Sequence, residues 1–141
     1  KFHSSYSDGT TSIDHGVFTS NRAQEGGALA LGLHASIYNS RFTYNRATEG
    51  GAITASSVSV SSSYLAYNSG SAGGAIYINS ALSLYDTLID SNNSTSFGGG
   101  IHCASCVMNI SSSFIQNSQS SRGIFLLYFI HSFFNSFALI N

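Results

Sequence analysis

The chain has 141 residues, a mass of 14.9 kDa and a net charge of −1, with 8% of its residues charged against about 25% in an average soluble protein. Five basic against six acidic side chains leave no positive field to gather phosphates, which excludes a nucleic-acid partner. Helical bundles and coiled coils are excluded by 29 Ser, 14 Gly and 11 Asn, residues of caps and turns, while 36 Leu, Ile, Val and Phe are enough to build a core. The absence of Pro suits hydrogen-bonded strands, because each Pro would remove a ladder donor.

Along the chain the same landmarks return. The opening KFHSSYSDGT carries neither an initiator Met nor a charged-then-apolar leader, and reads as part of a longer protein. Phe18 stands three residues before Asn21, and Gly26, Gly27, Ala28 and Leu29 follow. Phe42 and Asn45 repeat the first landmark; Gly50, Gly51, Ala52 and Ile53 repeat the second. Val58 and Val60 then flank a Ser, Leu65 leads to Asn68, and Gly73, Gly74, Ala75 and Ile76 follow. Leu82 and Leu84 flank another Ser, Ile89 leads to Asn92, and Gly98, Gly99, Gly100 and Ile101 come one residue late. Phe114 leads to Asn117, and worn copies end at Arg122–Phe125 and at Asn141.

The Asn intervals are 24, 23, 24, 25 and 24 residues, a fixed period that marks a repeat array. Alternation such as Val58, Ser59, Val60 means strand, with every second side chain on one face. Each copy holds two or three short strands and no helix, so the simplest fold is one coil per copy. Coils stacked about 4.8 Å apart would pair every strand in parallel with its equivalents. The sequence predicts an all-β, right-handed parallel β-helix of five to six coils in one domain, residues 1–141. Residues 11–123 form the best coils, and 124–141 an apolar, degenerate last one. A β-propeller needs about 40 residues per blade, too long for this period.

The registers suggest roles. Asn21, Asn45, Asn68, Asn92, Asn117 and Asn141 are expected to stack as an amide ladder that satisfies a tight bend. Gly26, Gly27, Gly50, Gly51, Gly73, Gly74, Gly98 and Gly99 mark a bend that needs positive φ or close backbone approach. Arg22 over Arg46 and Glu25 over Glu49 form two short charged columns, expected to interleave as ion pairs.

A repeated Gly-Gly-Ala-Ile/Leu tetrapeptide alternating with Phe-x-x-Asn resembles the repeat of the polymorphic outer membrane protein family, known from chlamydial autotransporters and surface proteins of other bacteria and protists. The resemblance covers Phe18 to Asn117, and to Asn141 in weaker form. It implies a β-helical passenger at the cell surface or secreted, at the outer membrane in a bacterium, acting in adhesion or as a scaffold on a host or glycan surface. It implies no catalytic residues.

The enzymatic alternative is a polysaccharide lyase or glycoside hydrolase built on a β-helix, which needs clustered carboxylates. Of Asp8, Asp14, Glu25, Glu49, Asp86 and Asp90, only Glu25 and Glu49 share a register, at the roughly 5 Å spacing of a retaining pair. Cys103 and Cys106, preceded by His102, lack the further ligands a zinc site wants, and Cys103 aligns with Leu31, Ala55 and Ile78, so a buried thiol is expected. No metal or other cofactor is expected. Asn93 and Asn109 head glycosylation triplets, as does Asn92, which belongs to the ladder. A Thr column of the ice-binding kind stops after Thr19 and Thr43. Ile124–Ile140 is short and interrupted for a membrane span, which wants about 20 apolar residues. Its Phe125, Leu127 and Phe129 are instead expected to drive self-association through the last coil.

Overall fold

The computed structural model describes residues 10–121, 132–134 and 137–140. Among the described residues sixteen strands and no helix follow in order: β1 (Thr11–Asp14), β2 (Val17–Thr19), β3 (Leu29–Tyr38), β4 (Arg41–Thr43), β5 (Ile53–Ser61), β6 (Tyr64–Ala66), β7 (Ser69–Ala72), β8 (Ile76–Tyr85), β9 (Leu88–Asp90), β10 (Asn93–Phe97), β11 (Ile101–Cys103), β12 (Val107–Ser111), β13 (Ser113–Gln116), β14 (Gln119–Ser120), β15 (Ser132–Phe134) and β16 (Phe137–Ile140). They form three parallel sheets. The first runs β1-β3-β5-β8-β12-β15, with β11 also on β8; the second runs β2-β4-β6-β9-β13-β16; the third is β7-β10-β14. Each coil visits the sheets in turn, and coils repeat about 24 residues apart over about five turns. The fold is a parallel β-helix.

Three columns of left-handed backbone turn the chain between sheets. From first sheet to second they are His15, Asn39, Ser62, Asp86 and Ser112; from second to third, Ser20, Tyr44, Tyr67, Ser91 and Asn117. The return to the first sheet uses Gly26, Gly50, Gly73 and Gly98, with φ between 51° and 67°. Gly51, the second of its pair, is required by proximity: a Cβ there would lie 2.1 Å from the Gly74 carbonyl oxygen of the next coil.

Inward side chains stack by type. Ala35, Val58, Leu82 and Met108 form one column, Ile37, Val60, Leu84 and Ile110 another, and Phe18, Phe42, Leu65, Ile89 and Ile115 a third, all buried. Phe18 and Phe42 lie parallel, ring centroids 4.8 Å apart. Burying one such side chain contributes about 1.5–3 kcal/mol, so repetition builds a core from short strands.

The Asn corner is a continuous ladder from Asn21 to Asn92. Asn45 Oδ1 accepts from the backbone N–H and Nδ2 of Asn21, both at 3.0 Å; Asn68 Oδ1 does the same for Asn45, and Asn92 Oδ1 for Asn68. Each amide also donates one coil back: Asn45 to the Phe18 carbonyl, Asn68 to Phe42 and Asn92 to Leu65.

The next rung departs from the expected one. Phe114 pairs with Leu88 and Ile115 with Ile89, so the inward position belongs to Ile115, while Phe114 faces out. The rung above Asn92 is therefore Ser118, whose Oγ accepts from the Asn92 N–H. Asn117 sits one residue earlier, at the left-handed position, and donates to Asp90 Oδ1 at 2.9 Å. Asn141, the worn copy at Arg122–Phe125 and the apolar residues Phe125, Leu127 and Phe129 lie outside the described residues.

Two further expectations are corrected. Among the described residues the one ion pair is Asp14–His15, and Arg22, Arg46, Glu25 and Glu49 stack as like-charged neighbours without an Arg–Glu pair. Cys103 has the expected buried register beside Ile78 but is disulfide-bonded to Cys106 instead of carrying a thiol. The bond spans the break between β11 and β12, where β8 runs on unbroken.

Candidate functional site

The polar side chains that recur at one register are largely used to hold coils together. Besides the Asn ladder there is a hydroxyl ladder at the first bend. Ser40 Oγ accepts from the Gly16 N–H, Ser63 Oγ from Ser40 and Ser113 Oγ from Thr87, and each of these hydroxyls donates to a carbonyl two residues earlier in its own chain. Sequence reasoning missed this ladder, although its signal is regular: a Ser or Thr stands five residues before each of Asn45, Asn68 and Asn92. Carboxylates at the bends are engaged likewise. Asp14 accepts from Asn39, Asp86 from Ser62, and Asp90 from Ser91 and Asn117. The Asn39 hydrogen bond is the main cause holding the Asp14 carboxyl below its ordinary pKa.

What remains free faces outward from the second sheet. Phe42 and Leu65 point in, the residue before each is turned away from the core, and pairing stacks Val17, Arg41, Tyr64, Leu88 and Phe114 in one column. Val17 is 73% exposed and Phe114 47% exposed. The Arg41 guanidinium lies 5.2 Å from the Tyr64 ring centroid. Burial, and after it the charge of Asp90, pushes the Tyr64 phenol above its ordinary pKa, so it stays a neutral hydrogen-bonding group. At the bend beside this column Tyr44 and Tyr67 stack with centroids 5.1 Å apart, both exposed. Tyr38 and Tyr85, also exposed, end strands of the first sheet at the opposite border.

This surface combines rigid aromatic area with hydroxyl tips and little net charge. Tyr supplies large amphipathic contact area at low entropic cost, and here the rings are already ordered by stacking. Sequence reasoning missed it because the column holds five different residue types, with no repeated letter to align.

A second aromatic group lies where the first and third sheets meet. Tyr77 and His102 are register neighbours with centroids 5.2 Å apart, and Phe97 lies 5.7 Å from His102. His102 Nδ1 is buried without a hydrogen-bond partner, and burial lowers the pKa of the ring. Glu25 and Glu49 are bridge partners in successive coils; Thr54 Oγ1 ties that bend by donating to the Glu49 carbonyl and accepting from the Gly26 N–H. No group of three or more His, Cys, Asp or Glu among the described residues could hold a metal ion. Asn93 and Asn109 are exposed, on the third and first sheets, whereas Asn92 is buried. Among the described residues no helix is long and apolar enough to cross a membrane.

Compared with known protein families, curated proteins and solved structures, the chain matches none.

Proposed function

We propose that the chain is a non-enzymatic β-helical module, secreted or displayed at a cell surface, that works in adhesion or as a scaffold. The observation that carries this reading is the outward column Val17, Arg41, Tyr64, Leu88 and Phe114, flanked by Tyr44 and Tyr67, on a frame whose recurring polar atoms serve the ladders. A scaffold needs a surface whose residues vary while the frame stays fixed, and that is the division of labour here. The Cys103–Cys106 disulfide supports an oxidising, extracytoplasmic setting. The resemblance to polymorphic outer membrane protein repeats points the same way.

Beads coated with the chain should adhere to a cell monolayer, and the triple variant Tyr44→Ser, Tyr64→Ser, Tyr67→Ser should lower retention at least about tenfold, equivalent to about 1.4 kcal/mol. Equal retention of the two would remove the reading. A reproducible polysaccharide turnover that Glu25→Gln and Glu49→Gln abolish would replace it with the enzymatic one.

A further inference from the structure

Three asparagines head an Asn-X-Ser/Thr triplet, the acceptor motif for N-linked glycans, and the structure sorts them. Asn92 is 1% exposed; its Nδ2, the atom that would carry a sugar, donates to the Leu65 carbonyl at 2.9 Å, and its Oδ1 accepts from Asn68 Nδ2 at 3.0 Å. A glycan there is incompatible with the ladder. Asn93 is the next residue and the first of β10, so strand alternation turns it outward, with Thr95 exposed two residues on. In the preceding coil its register neighbour is Ser69. Asn109 stands in β12 between buried Met108 and Ile110, exposed above Ser83, Ser59 and Ser36 in the coils before it. On the preceding-coil side the neighbours are small at both positions; in the following coil Asn93 pairs with Gln119 and Asn109 with Phe133. Neither side-chain amide hydrogen-bonds to another described residue, although the Asn93 backbone N–H donates to the Asn68 carbonyl.

A second observation is independent of the motif. The Cys103–Cys106 disulfide lies in the same coil, and disulfides persist in the oxidising compartments where glycans are transferred.

We infer that Asn93 and Asn109 are N-glycosylation sites and that Asn92 is not. The step joins the Asn Nδ2 to the anomeric carbon of a lipid-linked oligosaccharide. That carbon's bond to the carrier's pyrophosphate breaks, the pyrophosphate leaves with the lipid, and the amide loses one proton. For its compartment the inference rests on the secreted reading above. Its geometric consequence goes further: the Asn109 glycan projects from the first sheet, while the Asn93 glycan starts beside Ser69, two residues past Tyr67, and borders the Tyr44–Tyr67 pair.

The test is the full chain carried by a cleavable leader into the secretory pathway of a eukaryotic cell, which reads the sites whether or not the chain adheres to anything. Secreted protein is treated with peptide N-glycosidase in heavy-oxygen water, and its peptides are weighed. Labelled Asp is expected at positions 93 and 109 and unlabelled Asn at 92. On a gel, Thr95→Ala and Ser111→Ala should each remove one mobility step. In isolated microsomes, where folding is not required, Ser94→Ala removes only the Asn92 triplet and should leave both steps. Label at 92 in the secreted chain, or its absence from either 93 or 109, overturns the assignment. Loss of a step in the Ser94→Ala microsomes does the same.

Discussion

The middle coils and the coil that follows Asn92 hold together by different means. In the middle, β5 and β8 run unbroken for 9 and 10 residues, and Asn45 and Asn68 each bond to the coil before and the coil after. Past Asn92 the long strand splits into β11 and β12, and the rung is a Ser at 3.4 Å in place of an Asn at 3.0 Å or less. There the Cys103–Cys106 disulfide closes the break. Side-chain ladders suffice where the strands run on, even across the register shift after Ala55; where the strand splits into β11 and β12, a covalent bond spans the break.

The largest expected effect breaks this contrast most directly. Asn68→Ala strands the Asn45 amide, the Asn45 N–H, the Phe42 carbonyl and part of Asn92, all buried, and at about 1–3 kcal/mol per unsatisfied group should cost on the order of 4 kcal/mol. Asn117→Ala removes one exposed hydrogen bond to Asp90 and should cost less than about 1 kcal/mol. Urea unfolding of the two variants checks both. Comparable losses would mean that Asn117, not Ser118, is the rung.

Removing the disulfide comes next. A four-residue loop gives an entropic contribution of about 2 kcal/mol. Cys103→Ser with Cys106→Ser should therefore lower stability by about that amount, and amide exchange should speed up in β12 and β13 while β5 and β6 keep their protection. Uniform loss of protection would show that the coils unfold as one and that the contrast is only geometric.

The smallest effect is the pH dependence of His102. Its folded pKa is lowered by burial, so the unfolded chain binds the proton more readily. The contribution of the neutral ring is complete above the unfolded value of about 6.5 and is lost as pH falls below it toward the folded pKa. His102→Phe keeps the stack with Tyr77 and removes the titration, so its urea midpoint should change less than the parent's between pH 7.5 and pH 5. An unchanged slope would place the dependence elsewhere.

The coil and its period were legible because parallel stacking forces equivalent residues into register, leaving identical letters at fixed intervals. The Asn21 to Asn92 rungs and the glycine bend were readable for that reason. Phe114 and Asn117 misled because the true interval from Asn92 to its rung is longer than the rest: Phe-x-x-Asn matched by letters, one residue out of phase with the inward Ile115. Core spacing would have shown it, since Ile115, not Phe114, stands five residues after Ile110 as Phe42 does after Ile37, Leu65 after Val60 and Ile89 after Leu84. The disulfide was hidden by its own strand break, which puts Cys106 opposite no residue of the coil before. The outward column could not be read at all, because solvent imposes no common residue on its members.

The left-handed columns carry one more consequence. With three corners fixed at the same register in successive turns, each outward residue is an address, defined by a rung and a column. What occupies one address leaves the backbone of the next unchanged: Arg, Tyr and Leu follow one another at positions 41, 64 and 88 over a nearly constant track. Such a molecule is a ruled surface on which a pattern can be rewritten one square at a time, or lengthened by a whole row, without redrawing the grid.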